Sequence, residues 1–295
     1  MYAITGATGN VGRRIAEKLL AAGQKVRVIG RSADRLEPLA AKGAEPFVAS
    51  PDDAAAMTRA FTGAQAVYAM IPPHLDAADL RAYQNRVSEA LATAIAHAGV
   101  RYVVNLSSVG AQLTGGVGPV NGLHDAEDRL NRLEGVNVLH LRPGYFMENL
   151  LWMKGPIRQL GVAGSPLRAD LPITMIATRD IADQAAQHLL RLDFSGKSVR
   201  ELLGQRDVTM NEAVRALGQA IGKPDLSYVQ VSYEEAEQAM RANGVSPGTA
   251  HLFSEMSRSM NEGIMRPTER RLPQNTTATS IETFAGEVFA PALRG

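Results

Sequence analysis

Apolar positions in the first half of the chain switch repeatedly between two spacings. Tyr2 to Thr5 is a short apolar run that ends at a glycine. Asn10 to Ala22 follows, with Val11, Ile15 and Leu19 at helical spacing and Gly23 at the stop. Lys25 to Gly30 reads as a strand, and Ser32 then caps a predicted helix to about Lys42, closed by Gly43. Glu45 to Ala49 is a third strand, Asp52 to Phe61 a helix before Gly63, and Gln65 to Ile71 a fourth strand. Ala77 to Ala98 is a long helix ended by Gly99, and Arg101 to Leu106 a fifth strand. Leu123 to Leu133 and Val136 to Leu141 add one more helix and strand. Strands alternating with helices through short links make parallel strand–helix–strand units. Their right-handed crossovers leave an open, doubly wound α/β sheet.

The texture changes after Arg142-Pro143-Gly144. Glycines and prolines cluster between Gly155 and Pro172, and the alternation stops. Three helices still announce themselves. Thr178 precedes a stripe of Ile181, Ala185 and Leu189, while Thr209 with Glu212 and Ser232 with Glu235 have the spacing of capping boxes. Gln274 to Ser280 is polar and threonine-rich and reads as loop. This half predicts a smaller C-terminal α/β lobe closing over the carboxyl edge of the sheet.

The turn Gly6-Ala7-Thr8-Gly9-Asn10-Val11-Gly12 lies between the first strand and the first helix. Glycines there allow a tight turn, a close approach of pyrophosphate to backbone amides, and close packing of helix on sheet. The helix N-terminus then offers free amides and the positive end of its dipole. A dinucleotide is the predicted ligand, which makes the sheet a Rossmann-type domain. The end of the second strand selects the dinucleotide. A carboxylate there would hold the ribose 2′-hydroxyl of NAD. Instead the strand ends in Arg31, with Arg35 one turn on, and no acid occupies the position. Read against a solvated loop arginine, Arg31 suits a 2′-phosphate, so NADP is predicted over NAD.

The Gly-x-x-Gly-x-x-Gly spacing resembles the extended and atypical short-chain dehydrogenases/reductases, and Ser107 and Ser108 follow the fifth strand, where in that superfamily a serine helps orient the substrate carbonyl. The tyrosine with lysine four residues later that usually completes such a site is missing. Tyr2, Tyr68, Tyr83, Tyr102, Tyr145, Tyr228 and Tyr233 are followed at that distance by Gly6, Pro72, Val87, Leu106, Asn149, Ser232 and Glu237. Its absence argues against an ordinary alcohol dehydrogenase or a sugar-nucleotide epimerase using that pair. His124 stands near the start of the helix where the pair would be. It has two readings: a proton donor, since histidine ordinarily titrates near neutrality, or a polar helix-start residue bonded to cofactor or backbone.

Composition narrows the picture further. Thirty-one basic against 30 acidic residues give a net charge of +1, no sign of a nucleic-acid or membrane partner. The absence of cysteine excludes disulfides, thiolate metal sites and cysteine nucleophiles. No basic leader followed by an apolar stretch opens the sequence, which argues for the cytoplasm.

Three separated segments carry a family resemblance: Thr5-Gly6-Ala7-Thr8-Gly9, Val104-Asn105-Leu106-Ser107-Ser108 and Leu141-Arg142-Pro143-Gly144-Tyr145-Phe146-Met147-Glu148-Asn149. Together they resemble the NmrA-like atypical short-chain dehydrogenases/reductases, and the segment around His124 is similar to the bacterial quinone oxidoreductases of that group. Thr178-Arg179-Asp180-Ile181-Ala182 matches a further shared segment. The resemblance implies that Met70, Ile71 and Pro72 line the cofactor, that Asn105, Leu106 and Ser107 approach the nicotinamide ribose, and that Pro143, Gly144, Tyr145 and Phe146 approach the nicotinamide. It implies an NADP-binding domain over residues 1–150, with a segment around 178–205 returning to it, and a substrate lobe over 151–295. Some members reduce quinones, azo dyes or triphenylmethane dyes with NADPH, whereas others bind NADP without turnover and sense redox state for a partner protein. Two departures stand out. Ala49-Ser50-Pro51 precedes Asp52 where many members place an aspartate directly after the third strand, and lysine is absent from the dyad helix.

A quinone-like acceptor is already electrophilic, so its reduction needs orientation in a dry pocket more than a tyrosine–lysine pair. The reading is an NADPH-dependent reductase of conjugated aromatic acceptors, with the redox sensor as the alternative. Phe253, Met256 and Met260 at helical spacing, with Met240 and Met265 near, would line a flat acceptor or pack the lobe core. Trp152 and Phe146 have the same two readings.

Overall fold

The computed structural model describes residues 1–294. Six strands and five helices alternate through the first half: β1 (Tyr2–Ile4), α1 (Asn10–Ala21), β2 (Val26–Gly30), α2 (Ala33–Ala40), β3 (Glu45–Val48), α3 (Ala54–Phe61), β4 (Ala66–Ala69), α4 (Leu80–His97), β5 (Tyr102–Leu106), α5 (Asn121–Asn131) and β6 (Asn137–Pro143). The second half contains β7 (Tyr145–Phe146), α6 (Lys154–Leu160), β8 (Ala163–Ser165), β9 (Ile173–Ile176), α7 (Thr178–Arg191), β10 (Lys197–Leu202), β11 (Asp207–Val208), α8 (Met210–Ala220), β12 (Tyr228–Gln230), α9 (Tyr233–Ala242), α10 (Pro247–Asn261) and α11 (Ile281–Phe284).

The main sheet has the order β10-β6-β5-β4-β1-β2-β3 and every pair in it is parallel. Alternation along its strands divides the core into two layers. Ile4, Val28, Tyr68 and Val104 meet Ile15 and Leu19 of α1 and Ile181 and Leu189 of α7 on one face. Ala3, Val67 and Val103 meet Met57, Phe61, Val87 and Ile95 of α3 and α4 on the other. All seven strands run the same way, so the turns after β1, β2, β4, β5 and β6 leave one edge together. That edge is the ligand side of a doubly wound sheet.

The chain returns to this body after leaving it. Arg14 and Lys18 on α1 both reach Asp183 on α7, at 2.6 and 3.2 Å, and β10 pairs with β6 from Lys197↔Val138 to Leu202↔Pro143. The lobe has its own core of Leu150, Met175, Leu217, Phe284 and Phe289 and two small sheets, β11-β9-β7 and β12-β8.

Helix starts show which local signals hold. Both capping boxes form, at Thr209/Glu212 and Ser232/Glu235. The long fourth helix begins at Leu80 rather than Ala77, because Asp79 accepts from the Ala82 amide at 2.9 Å and fixes the first turn there. Ser32 stands at the N-cap of α2 but its hydroxyl makes no cap bond. Thr178 does not cap α7. Ala177 takes that position, and Glu148 accepts from both the Thr178 amide and its hydroxyl. The polar stretch 274–280 is loop, yet Asn275 is fully buried and Asp180 accepts from the amide and hydroxyl of Thr279.

Candidate active site

Gly6 turns the chain after β1 with φ +60°, and a Cβ there would lie 2.6 Å from Met70 Sδ. A Cβ on Gly12 would overlap the Gly6 carbonyl, so the first turn of α1 rides directly on the loop before it. Gly9 is the N-cap and brings no capping side chain. The amides of Asn10, Val11 and Gly12 in the first turn therefore have neither an intrahelical acceptor nor a cap. Gly9 and Asn10 are exposed while Val11 and Gly12 are buried. Ala7 is buried, its amide donating to Ile29 O at 3.4 Å, and Thr8 is half-buried with its methyl near Gly30. This is a cradle of backbone donors shaped to exclude side chains, and it fits a pyrophosphate.

Arg31 and Arg35 flank the end of β2. Both are exposed, and neither makes an ion pair among the described residues. Burial pushes the Tyr83 phenol on α4 up, and the charge of Arg31 works against that shift.

Met70 closes the turn from the β4 side. Its amide donates to Thr5 Oγ1 at 3.0 Å, and the Thr5 hydroxyl donates to Tyr68 O at 3.0 Å. Ile71 and Pro72 continue this loop, half-buried. His74 packs edge-on against Tyr83 with ring centroids 4.5 Å apart.

At the end of β5 and just after it, Asn105 and Ser107 are buried and Leu106 and Ser108 half-buried. Asn105 is paired in register with His140 on β6, and its amide nitrogen is 3.1 Å from His140 Nδ1. His140 Nε2 lies 3.0 Å from Asn131 Oδ1. Burial pushes His140 down to about 4 against the pull of Glu127, so the ring is neutral and its one hydrogen goes to Asn131. The Ser107 hydroxyl is held at 2.5 Å by Glu127 Oε1, which also accepts from Arg142 Nε at 2.9 Å. Pro143 to Phe146 leave β6 for β7. The Gly144 amide donates to Leu202 O, and Thr174 fills the place of a Cβ on Gly144.

His124 lies in the first turn of α5, half-buried, with Nδ1 2.8 Å from Ala111 O. A carbonyl can only accept, so Nδ1 carries the hydrogen and Nε2 is left as the free ring nitrogen. Nδ1 therefore anchors the ring to the backbone, and Nε2 presents a lone pair that can take up a proton.

The lobe reaches this edge through α10. The Ser246 amide and hydroxyl bond to Leu75 O and Ala77 O in the loop after β4. Further along α10, the Leu252 backbone packs on Gly118 in the loop after β5. The methionines divide between the two readings. Met260 packs in the lobe core, Met256 lies against Ala111, Val117 and Val120 between β5 and α5, and Met265 packs against both. Trp152 is 57% exposed on the turn before α6.

Glu127 was not singled out from the sequence. It stands three residues after His124, on the same helical face, and that spacing was the available signal. Its partners, Ser107 and Arg142, are 20 and 15 residues away.

Comparison with known proteins places this geometry. The chain is 29% identical to (4-alkanoyl-5-oxo-2,5-dihydrofuran-3-yl)methyl phosphate reductase of Streptomyces griseus, over 99% of this chain and all of that one. It is 27% identical to the NAD(P)H azoreductase of Xenophilus azovorans, over 87% of this chain and 86% of that one. Its fold matches that of an NADPH-dependent quinone oxidoreductase from Escherichia coli solved with NADPH, with a TM-score of 0.82, 24% identity, and coverage of 98% of this chain and all of the other. The family model described as NmrA-like matches residues 2–283, and the chain belongs to that family.

Proposed function

We propose that this protein is a cytoplasmic NADPH-dependent oxidoreductase that reduces quinone-like, azo or other conjugated aromatic acceptors. The observation that carries the reading is the tight glycine turn at Gly6–Gly12, which leads into three uncapped amides at the start of α1. Its relatives named as an azoreductase and as a reductase of an unsaturated lactone phosphate support the reaction class. When bound, the reduced nicotinamide supplies a hydride.

The residues divide the remaining work. The first turn of α1 binds the pyrophosphate. Arg31 and Arg35 hold the 2′-phosphate, and Met70, Ile71 and Pro72 wall the dinucleotide. Asn105, Leu106 and Ser107 approach the nicotinamide ribose, and Pro143 to Phe146 the nicotinamide itself. The lobe over 151–295 covers the acceptor, with Met256 and Met265 on the His124 side. With Nδ1–H tied to Ala111 O, His124 Nε2 takes up a proton from solvent and passes it on to balance hydride addition. The missing tyrosine–lysine pair is no obstacle for acceptors whose electrophilic centre needs no prior protonation.

The test is consumption of NADPH with a panel of quinones and azo dyes. Tight NADPH binding with no turnover above background would leave the redox sensor, whose partner should then bind differently with NADP and with NADPH.

A further inference from the structure

Ser107, Glu127 and Arg142 form a closed polar cluster, of which the proposed reduction gives no role to Glu127 or Arg142. It ties the end of β5 to α5 and to the end of β6. Arg142 grips Glu127 with two bonds, Nε to Oε1 at 2.9 Å and Nη2 to Oε2 at 2.5 Å. Glu127 is 4% exposed. Burial works against its charge, but the Arg142 guanidinium and the Ser107 hydroxyl outweigh it and hold the carboxyl below its usual range.

An ionised carboxylate has no proton to give. The 2.5 Å contact between Ser107 Oγ and Glu127 Oε1 therefore has one polarity, with the serine donating. The Ser107 amide is committed as well, to Leu141 O at 2.8 Å. What Ser107 can still present at the sheet edge is oxygen lone pairs. Quinone oxygens and azo nitrogens are acceptors too and would be repelled. The hydroxyls of a ribose and the amide hydrogens of a carboxamide are donors.

We propose that the Glu127–Arg142 pair fixes Ser107 as a hydrogen-bond acceptor, and that its ligand is a donor on the nicotinamide half of the dinucleotide rather than the reducible acceptor. Glu127 is then a positioning residue, acting through Ser107. This rests on the NADPH reading above.

The test uses the full chain and the fluorescence of NADPH to measure its dissociation constant. Turnover with one quinone and one azo dye is measured alongside. Ser107→Ala is expected to raise the NADPH dissociation constant about fivefold, the size of one lost hydrogen bond. The ratio of quinone to azo turnover is expected to stay constant. A folded Glu127→Ala variant is expected to weaken NADPH in the same way, and the double variant no more than the weaker-binding single. Should Glu127→Ala fail to fold, Ser107→Ala decides alone. An unchanged dissociation constant in Ser107→Ala, or in folded Glu127→Ala, overturns the proposal. So does selective loss of quinone turnover, which would make Ser107 a donor to a carbonyl. A wild-type chain that does not bind NADPH overturns the reading beneath it instead.

Discussion

Single residues carry the chemistry, and each makes a separate claim. Gly12 leaves no room for a side chain against the Gly6 carbonyl. Gly12→Ala is expected to push α1 off the turn and weaken NADPH binding at least tenfold, with the fold retained by circular dichroism. Arg31 is exposed and unpaired among the described residues, so Arg31→Ala should cost little stability. It is expected to raise the NADPH dissociation constant about tenfold or more, the scale of a charge-assisted bond, while NADH binding stays the same. Equal loss for both cofactors in a titration would move Arg31 out of the 2′-phosphate site. His124→Ala is expected to lower kcat about tenfold or more with the NADPH dissociation constant unchanged. Unaltered kcat would return His124 to a purely anchoring role at Ala111.

Elements bring in coupling between groups that the chain separates. The β5–β6 pair and α5 enclose two networks, Asn105–His140–Asn131 and Ser107–Glu127–Arg142. Both give stability a pH dependence of the same sign. His140 is depressed to about 4 in the fold, so between there and its ordinary value near 6.5 the unfolded chain binds more protons. Its contribution is complete above about 6.5 and is lost as pH falls toward 4. The full loss is of the order of 3 kcal/mol. Glu127 adds a loss below about 4.5, where the unfolded carboxyl would protonate first. Replacing His140 by Gln is expected to flatten the stability curve between pH 6.5 and 4 in urea melts, and an unchanged slope would remove His140 as its source. In the lobe, Thr209→Ala breaks a complete capping box and is expected to cost about 1 kcal/mol by the same method.

The strand–helix alternation of the main sheet was legible because each unit is local. Period-two and helical spacings, glycine stops and caps all lie within a dozen residues of what they define. Boundaries moved where a polar side chain decided them, as at Asp79, which starts α4 three residues later than the apolar pattern suggests. The start of α7 is set from further away. The group that satisfies that helix start is Glu148, 30 residues away. The glycine turn after β1 was fully visible, since its glycines, strand and helix are consecutive. The role of Ser107 was not. Its hydrogen-bond polarity depends on Glu127 and Arg142, and only the folded sheet brings them together. Asn275 and Thr279 were hidden in the same way, inside a stretch whose composition reads as loop.

At the scale of the whole molecule, the sheet edge and the lobe make one device. Five turns of the main body converge on the edge, and α10 bonds across the loops after β4 and β5. Such an arrangement can hold a dinucleotide below and a flat acceptor above, away from water. The most direct test is steady-state oxidation of NADPH by the purified full-length chain, followed by its absorbance, with a series of quinones and azo dyes. The account predicts acceptor-dependent NADPH oxidation that saturates with both substrates and is slower with NADH. Tight NADPH binding with no acceptor-dependent oxidation anywhere in the series would contradict it.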